Sequence, residues 1–288
     1  MRHSARLTLA ASTVLILATG LLAGRTHAAA QKGQRLGPAA HRDATTSGPV
    51  RVTRDVIYGS SFNQYTQTQE DLVLDVYRMD GPTTEPRPAV VLIHGGGFVA
   101  GDKAVTPMRY LGRDLAREGY VVASINYRLA PPGTTITEIN LREAADDARA
   151  AVRYLRARAD ELQVDPSRIA CMGSSAGAFT ALRVAYIERS GTSGNPGFSE
   201  EVSAVVDLWG GMLNVDVVEG DEAPLMIVHG DQDPTVSYAL ALELDARAGS
   251  VLLPHEFLTL EGAGHGPWSR YAQESHAQVV DFLARALE

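Results

Sequence analysis

The chain has 288 residues, 45% of them hydrophobic and 21% charged, with 34 acidic against 26 basic side chains and a formal charge of −8. That length supports a large core without staples, and the acidic balance excludes a basic nucleic-acid footprint. One cysteine, Cys171, leaves no internal disulfide to form.

The chain opens on a basic start, Met1 to Arg6, followed by an apolar run from Leu7 to Leu22 and the small residues Ala28-Ala29-Ala30. This order predicts a secretory signal peptide over residues 1–30, cleaved after Ala30 or Ala28. The run is short for a membrane span and is broken by Gly20. A secreted or periplasmic location is therefore expected, with no stable membrane association once the signal is gone. No cysteine follows the run to carry a lipid. Residues 31–49 lack periodicity and read as a flexible leader.

Residues 50–288 form the expected catalytic domain. Val50–Tyr58 and Leu72–Tyr77 alternate like half-buried strands, whereas Ala89–Ile93 and Tyr120–Ile125 are apolar throughout. Strands apolar on both faces belong inside a parallel sheet covered by helices. Helical spacing fits Met108–Glu118, Thr137–Ala159, Ala176–Glu188, Tyr238–Arg247 and Trp268–Leu287. Short strands fit Arg168–Met172, Val202–Leu208, Leu225–Val228 and Phe257–Leu260. The fold class is α/β: a mostly parallel sheet of about eight strands, antiparallel at its start, with helices on both faces. Such sheets carry their chemistry on loops at the carboxyl ends of strands.

Four segments sit at those ends. Gly173-Ser174-Ser175-Ala176-Gly177 lies between a strand and a helix, where a strained serine needs small neighbours. Ser175 is the candidate nucleophile. His94-Gly95-Gly96-Gly97-Phe98 follows an apolar strand, and three glycines leave backbone N–H groups unobstructed for an oxyanion hole; His94 is expected to bond backbone and hold that loop. In His229-Gly230-Asp231-Gln232-Asp233-Pro234, the proline restrains Asp233, the preferred acid, while Asp231 braces the turn; Asp207 is a fallback acid. In Gly262-Ala263-Gly264-His265-Gly266, His265 has small neighbours and room to face the serine, so it is the candidate base. The chain order Ser, Asp, His supports the set.

Together these segments resemble the α/β-hydrolase superfamily. More narrowly the chain is similar to bacterial carboxylesterases related to hormone-sensitive lipase and to the feruloyl/acetyl-xylan esterase-like group. The resemblance spans about Val50 to Leu287 and includes Leu74-Asp75-Val76-Tyr77, Asn126-Tyr127-Arg128-Leu129-Ala130-Pro131 and Val164-Asp165-Pro166-Ser167-Arg168-Ile169. It implies the α/β-hydrolase fold, and the N–H groups of Gly96, Gly97 and Ala176 as oxyanion donors. Ser174 departs from the acid or glycine that those groups carry before the nucleophile.

The span from Trp209 to Glu222 is too short for a long helical lid, so a small cap and an open site are expected. Phe98, Trp209, Met212 and Trp268 are taken as substrate contacts, although apolar residues after strands serve equally as core. Cys171 reads as a buried, inert thiol. No metal cluster or nucleotide fingerprint is visible, so no cofactor is expected. The function that follows is hydrolysis of short-chain or bulky esters, small or polymeric, through an acyl-enzyme. An amidase, peptidase or arylformamidase-like enzyme would use the same triad, and a non-catalytic binding protein on this scaffold is the alternative of another class.

Overall fold

The computed structural model describes residues 48–81, 83–187 and 191–288. The expected signal peptide and all but the last two residues of the leader lie outside them.

In chain order the elements are β1 (Val50–Asn63), β2 (Thr68–Met79), β3 (Arg87–Ile93), α1 (Thr106–Arg117), β4 (Val121–Ile125), α2 (Glu138–Ala157), α3 (Ala159–Leu162), β5 (Val164–Ser174), α4 (Ala176–Tyr186) and β6 (Ala204–Leu208), then a 3-10 turn (Val215–Val217), β7 (Leu225–Gly230), α5 (Tyr238–Ser250), β8 (His255–Leu260), α6 (Trp268–Glu274) and α7 (His276–Ala286). They build one eight-stranded sheet in the order β1-β2-β4-β3-β5-β6-β7-β8. The β1–β2 and β2–β4 pairs are antiparallel, and every later pair is parallel.

The apolar strands do what their composition requires. Every residue of β3, β4, β6 and β7 is buried, and alternate side chains feed two cores. Ala89, Val91 and Ile93 of β3 join Leu141, Ala144, Phe179 and Leu244 of α2, α4 and α5. Val90 and Leu92 join Met108, Leu115, Tyr271 and Phe282 of α1, α6 and α7 on the other face. Edge strand β1 carries register shifts after Thr53 and Ile57, and such bulges discourage edge-to-edge pairing.

The last helix differs from its expectation. One helix over Trp268–Leu287 was predicted, but it breaks at Ser275, which leaves helical geometry with φ −131° and ψ −23°. Ser275 is buried. The break lets α6 lie beside β8 while α7 packs on β6.

The chain reverses direction across the sheet between β3 and β5: β4 lies on one side of β3, and β5 to β8 lie on the other. A crevice opens outside the strand ends at such a switch point. It falls between the His94–Phe98 loop and Ser175.

Candidate active site

Ser175 sits on the turn between β5 and α4 with φ 53° and ψ −123°, a conformation that an L residue holds only under constraint. The glycines two positions to either side, Gly173 and Gly177, leave no room for a side chain. A Cβ on Gly173 would lie 2.0 Å from the Gly177 carbonyl oxygen, and one on Gly177 would lie 2.2 Å from the Ile93 carbonyl oxygen. The Ser175 N–H donates to the Leu208 carbonyl at 2.9 Å, which pins the turn to the end of β6.

The ends of β5, β7 and β8 bring three side chains into one hydrogen-bonded line. Ser175 Oγ lies 2.9 Å from His265 Nε2, and His265 Nδ1 lies 2.7 Å from Asp233 Oδ2. The Asp233 side chain is fully buried, whereas that of His265 is 22% exposed. Asp233 Oδ1 accepts the N–H groups of Thr235 and Val236 at 2.8 and 3.0 Å, so this oxygen is fixed by backbone and the other is left for the imidazole. Asp231 instead accepts the Gly262 N–H at 2.6 Å and ties the acid loop to the histidine loop. Asp207, the fallback acid, is buried and accepts the Gly210 N–H at 2.7 Å. Burial pushes its carboxyl up to about 7.

The glycine loop lies against the elbow. Gly96 holds φ +126°, and a Cβ there would meet the Ala100 carbonyl oxygen at 2.0 Å. Among the described residues no acceptor takes the N–H of Gly96, Gly97 or Ala176. Gly97 and Ala176 line the same cleft as Ser175, and the α4 N-terminus adds partial positive charge there. His94 is buried, its Nδ1 lies 2.7 Å from the Gly95 carbonyl, and its ring stacks on Tyr127 at 4.5 Å. Burial pushes its imidazole pKa down, so it is a neutral structural donor. Lys103 fixes the far side of this loop: buried, it reaches Asp55 at 2.9 Å and Asp75 at 3.3 Å. At the β1 bulge the Asp55 N–H donates to Asp75 Oδ1 at 3.1 Å, while the Asp55 side chain stays largely exposed.

The cleft at Ser175 encloses about 340 Å³. Phe98, Ile136, Phe179 and Val236 give it apolar walls, and Thr134, Thr135 and Thr235 add hydroxyls. The loop bearing Thr134 to Ile136 is held from beneath. The Asn63 amide donates to the Leu129 carbonyl at 2.9 Å. Buried Arg128 grips Asp147 with bonds of 2.8 and 2.9 Å, a bidentate pairing.

Of the expected substrate contacts only Phe98 lines this cleft. Its φ of 63° turns the ring inward. Trp209 and Met212 are buried in the two cores, Trp209 packing edge-on against Trp268 at 4.7 Å. An apolar side chain that leaves a strand end beside two unfilled layers packs there rather than facing water. Trp268 lines a separate groove between α1 and α6. Sequence reasoning passed over Ile136, Phe179 and Val236, as well as His229. The fully buried His229 imidazole has Nε2 3.1 Å from the Val236 carbonyl and 3.4 Å from Asp233 Oδ2; burial lowers its pKa, and the Val236 carbonyl and Asp233 oppose that shift. Its place in the His229–Asp233 motif was the signal available.

Comparison with known proteins adds the following. A family model described as BD-FAE matches residues 74–215, and one described as the prolyl oligopeptidase family matches residues 195–288. Esterase LipC of Mycobacterium tuberculosis is 25% identical, over 80% of this chain and 64% of its own length. Para-nitrobenzyl esterase of Bacillus subtilis is 30% identical, over 48% of this chain and 26% of its own. The chain spans less than two thirds of the length of these curated relatives. Among solved structures, apo Thermogutta terrifontis esterase 2 superposes with a TM-score of 0.64 at 22% identity, covering 82% of this chain and 91% of that one. The same esterase is known phosphonylated by cyclosarin, with a TM-score of 0.64 at 21% identity and the same coverage. At such identities the likeness shows the fold.

Proposed function

We propose that this chain, an α/β-hydrolase by fold, is a serine carboxylesterase. The observation that carries the reading is the line of hydrogen bonds from Ser175 through His265 to Asp233. His265 Nε2 takes the Ser175 proton as Oγ attacks the ester carbonyl, and Asp233 holds the Nδ1–H tautomer and stabilises the imidazolium. The N–H groups of Gly96, Gly97 and Ala176 receive the oxyanion. The C–O bond to the alcohol breaks, and His265 returns the proton to the departing oxygen. Water then enters by the same route and releases the acid. The esterase names of the relatives and of the solved structures agree with this chemistry.

Short acyl groups fit best. The segment over Trp209–Glu222 holds no long helix and is tied down: Arg247 donates to the carbonyls of Val218 and Asp216, each at 2.9 Å, and the Tyr186 hydroxyl to that of Ala223 at 2.7 Å. A segment tied down in this way is fixed in place rather than a moving lid.

Ser175→Ala tests the reading. Turnover of p-nitrophenyl acetate should fall on the order of 10⁴ to 10⁶-fold while the melting temperature holds, and fluorophosphonate labelling should vanish. Activity near wild type overturns the assignment. An anilide of the same acyl group separates esterase from amidase. Export follows from the signal expected over residues 1–30, and intact mass of exported protein tests it: cleavage after Ala30 or Ala28 is the expected product, and a mass that includes Met1 to Gly24 overturns it in favour of an anchor.

A further inference from the structure

We propose that the groove between α1 and α6 is the subsite for the alcohol half of the ester, and that it selects flat, ring-bearing alcohols. This rests on the esterase reading of Ser175.

The groove's place follows from the fold. Helix α1 begins at Thr106, just beyond the glycine loop, and α6 begins at Trp268, three residues after His265. Both first turns lie at the carboxyl end of the sheet, where the triad is. The Trp268 N–H donates to the Gly266 carbonyl at 2.8 Å, so this wall is continuous with the histidine loop. Proton return assigns the two halves of the ester. His265 protonates the departing oxygen, so the alcohol leaves on the His265 side. The acyl group turns the other way, into the cleft that Ser175 shares with Gly97 and Ala176.

The lining sets the alcohol's chemistry. The groove encloses about 450 Å³, with Pro107, Tyr110, Leu111, Trp268 and Ala272 among its walls. Tyr110 is 66% exposed, a large aromatic surface left to water beside a second aromatic ring. Trp268 is held in place, edge-on to Trp209 at 4.7 Å and to Tyr271 at 6.0 Å. Two aromatic faces around an apolar slot favour a planar ring over a flexible chain, because ring stacking adds to burial at little entropic cost.

Two acetate esters isolate this effect, because 2-naphthyl acetate and methyl acetate pass through the same acetyl-enzyme. In Trp268→Ala and Tyr110→Ala the ratio of kcat/KM for the naphthyl over the methyl ester should fall about tenfold, while the deacylation rate is the same from either ester. Tyr110 is on the surface, so its variant keeps the test readable if Trp268→Ala unfolds. The chain's two tryptophans are Trp209 and Trp268; Trp268 lines this groove and Trp209 packs edge-on behind it at 4.7 Å, so free 2-naphthol should change their fluorescence saturably. It should do so equally in wild type and Ser175→Ala, and more weakly in Tyr110→Ala. Equal losses on both esters, or naphthol binding indifferent to Tyr110→Ala, overturn the proposal. Unchanged ester selectivity with loss of a dimer in sedimentation overturns it too and gives the groove to a second copy. If wild type hydrolyses neither ester, the esterase reading fails, and naphthol binding still decides the groove.

Discussion

Asp207→Asn should stabilise the protein increasingly as pH rises. The Asp207 side chain ends β6 beside Gly173 of the elbow strand, and it is fully buried. Its Oδ1 accepts the Gly210 N–H, and its Oδ2 has no partner among the described residues. Burial raises the carboxyl from 3.8 to about 7, and the Gly210 bond opposes the shift. The folded state therefore holds this proton more tightly than the unfolded chain. Its contribution is fully present below pH 3.8 and is lost as pH rises through about 7. Between pH 5 and 8.5 the remaining loss spans about two pKa units, or roughly 3 kcal/mol at 1.36 kcal/mol per unit. Asparagine keeps the oxygen that Gly210 needs and cannot ionise. Its unpartnered amide costs about 1–3 kcal/mol, but at every pH alike. The variant's melting temperature minus that of wild type should thus rise by roughly 6–12 °C from pH 5 to 8.5, at about 2–4 °C per kcal/mol. Differential scanning calorimetry at the two pH values reads this directly. A difference that stays flat with pH refutes the buried, neutral carboxyl.

Gly177→Ala drives a Cβ to 2.2 Å from the Ile93 carbonyl oxygen and 2.6 Å from that of His94, so α4 must retreat from the glycine loop. A loss of roughly 1–3 kcal/mol in stability and about 100-fold in kcat for p-nitrophenyl acetate is expected, and wild-type kinetics in the folded variant would refute it. Across p-nitrophenyl esters, kcat/KM should peak between acetate and hexanoate and fall by decanoate, because a long chain outgrows the cleft and each unburied methylene forgoes about 0.8 kcal/mol. A maximum at dodecanoate with a rate jump above the solubility limit would mark a lipase with a moving lid.

The residues at the strand ends were legible because their constraints are local. Ser175 needs a strained turn, and the chain announces it with Gly173 and Gly177 four positions apart. Asp233 needs one oxygen tied to backbone, and Pro234 with the following two N–H groups accomplishes that within four residues. The buried strands were legible for a similar reason, since runs such as Ala89–Ile93 have no polar face to give to water. The Ser275 break was not legible. The helical pattern continues across it, and only the packing of α6 beside β8 and of α7 on β6 separates them.

The cleft walls were illegible for the opposite reason, and the misses share a cause. Trp209, Met212 and Phe179 all follow strands or begin helices near the site, and nothing in their neighbours says which way each side chain turns. That is settled by partners far away in sequence: Trp209 is drawn into the core by Trp268 and Tyr271, whereas Phe179 on α4 meets the loop of Thr134 to Ile136 across the cleft. That loop is itself held by the tip of the β1–β2 hairpin and by the Arg128 fork. Each bond-making residue is thus specified by neighbours a few positions away, while the walls that choose the substrate are assembled from four segments between Gly97 and Val236. A substitution in the Arg128 anchor should accordingly move acyl preference through Thr134 to Ile136 while leaving the Ser175–His265–Asp233 line in place, because no bond of that line passes through the anchor.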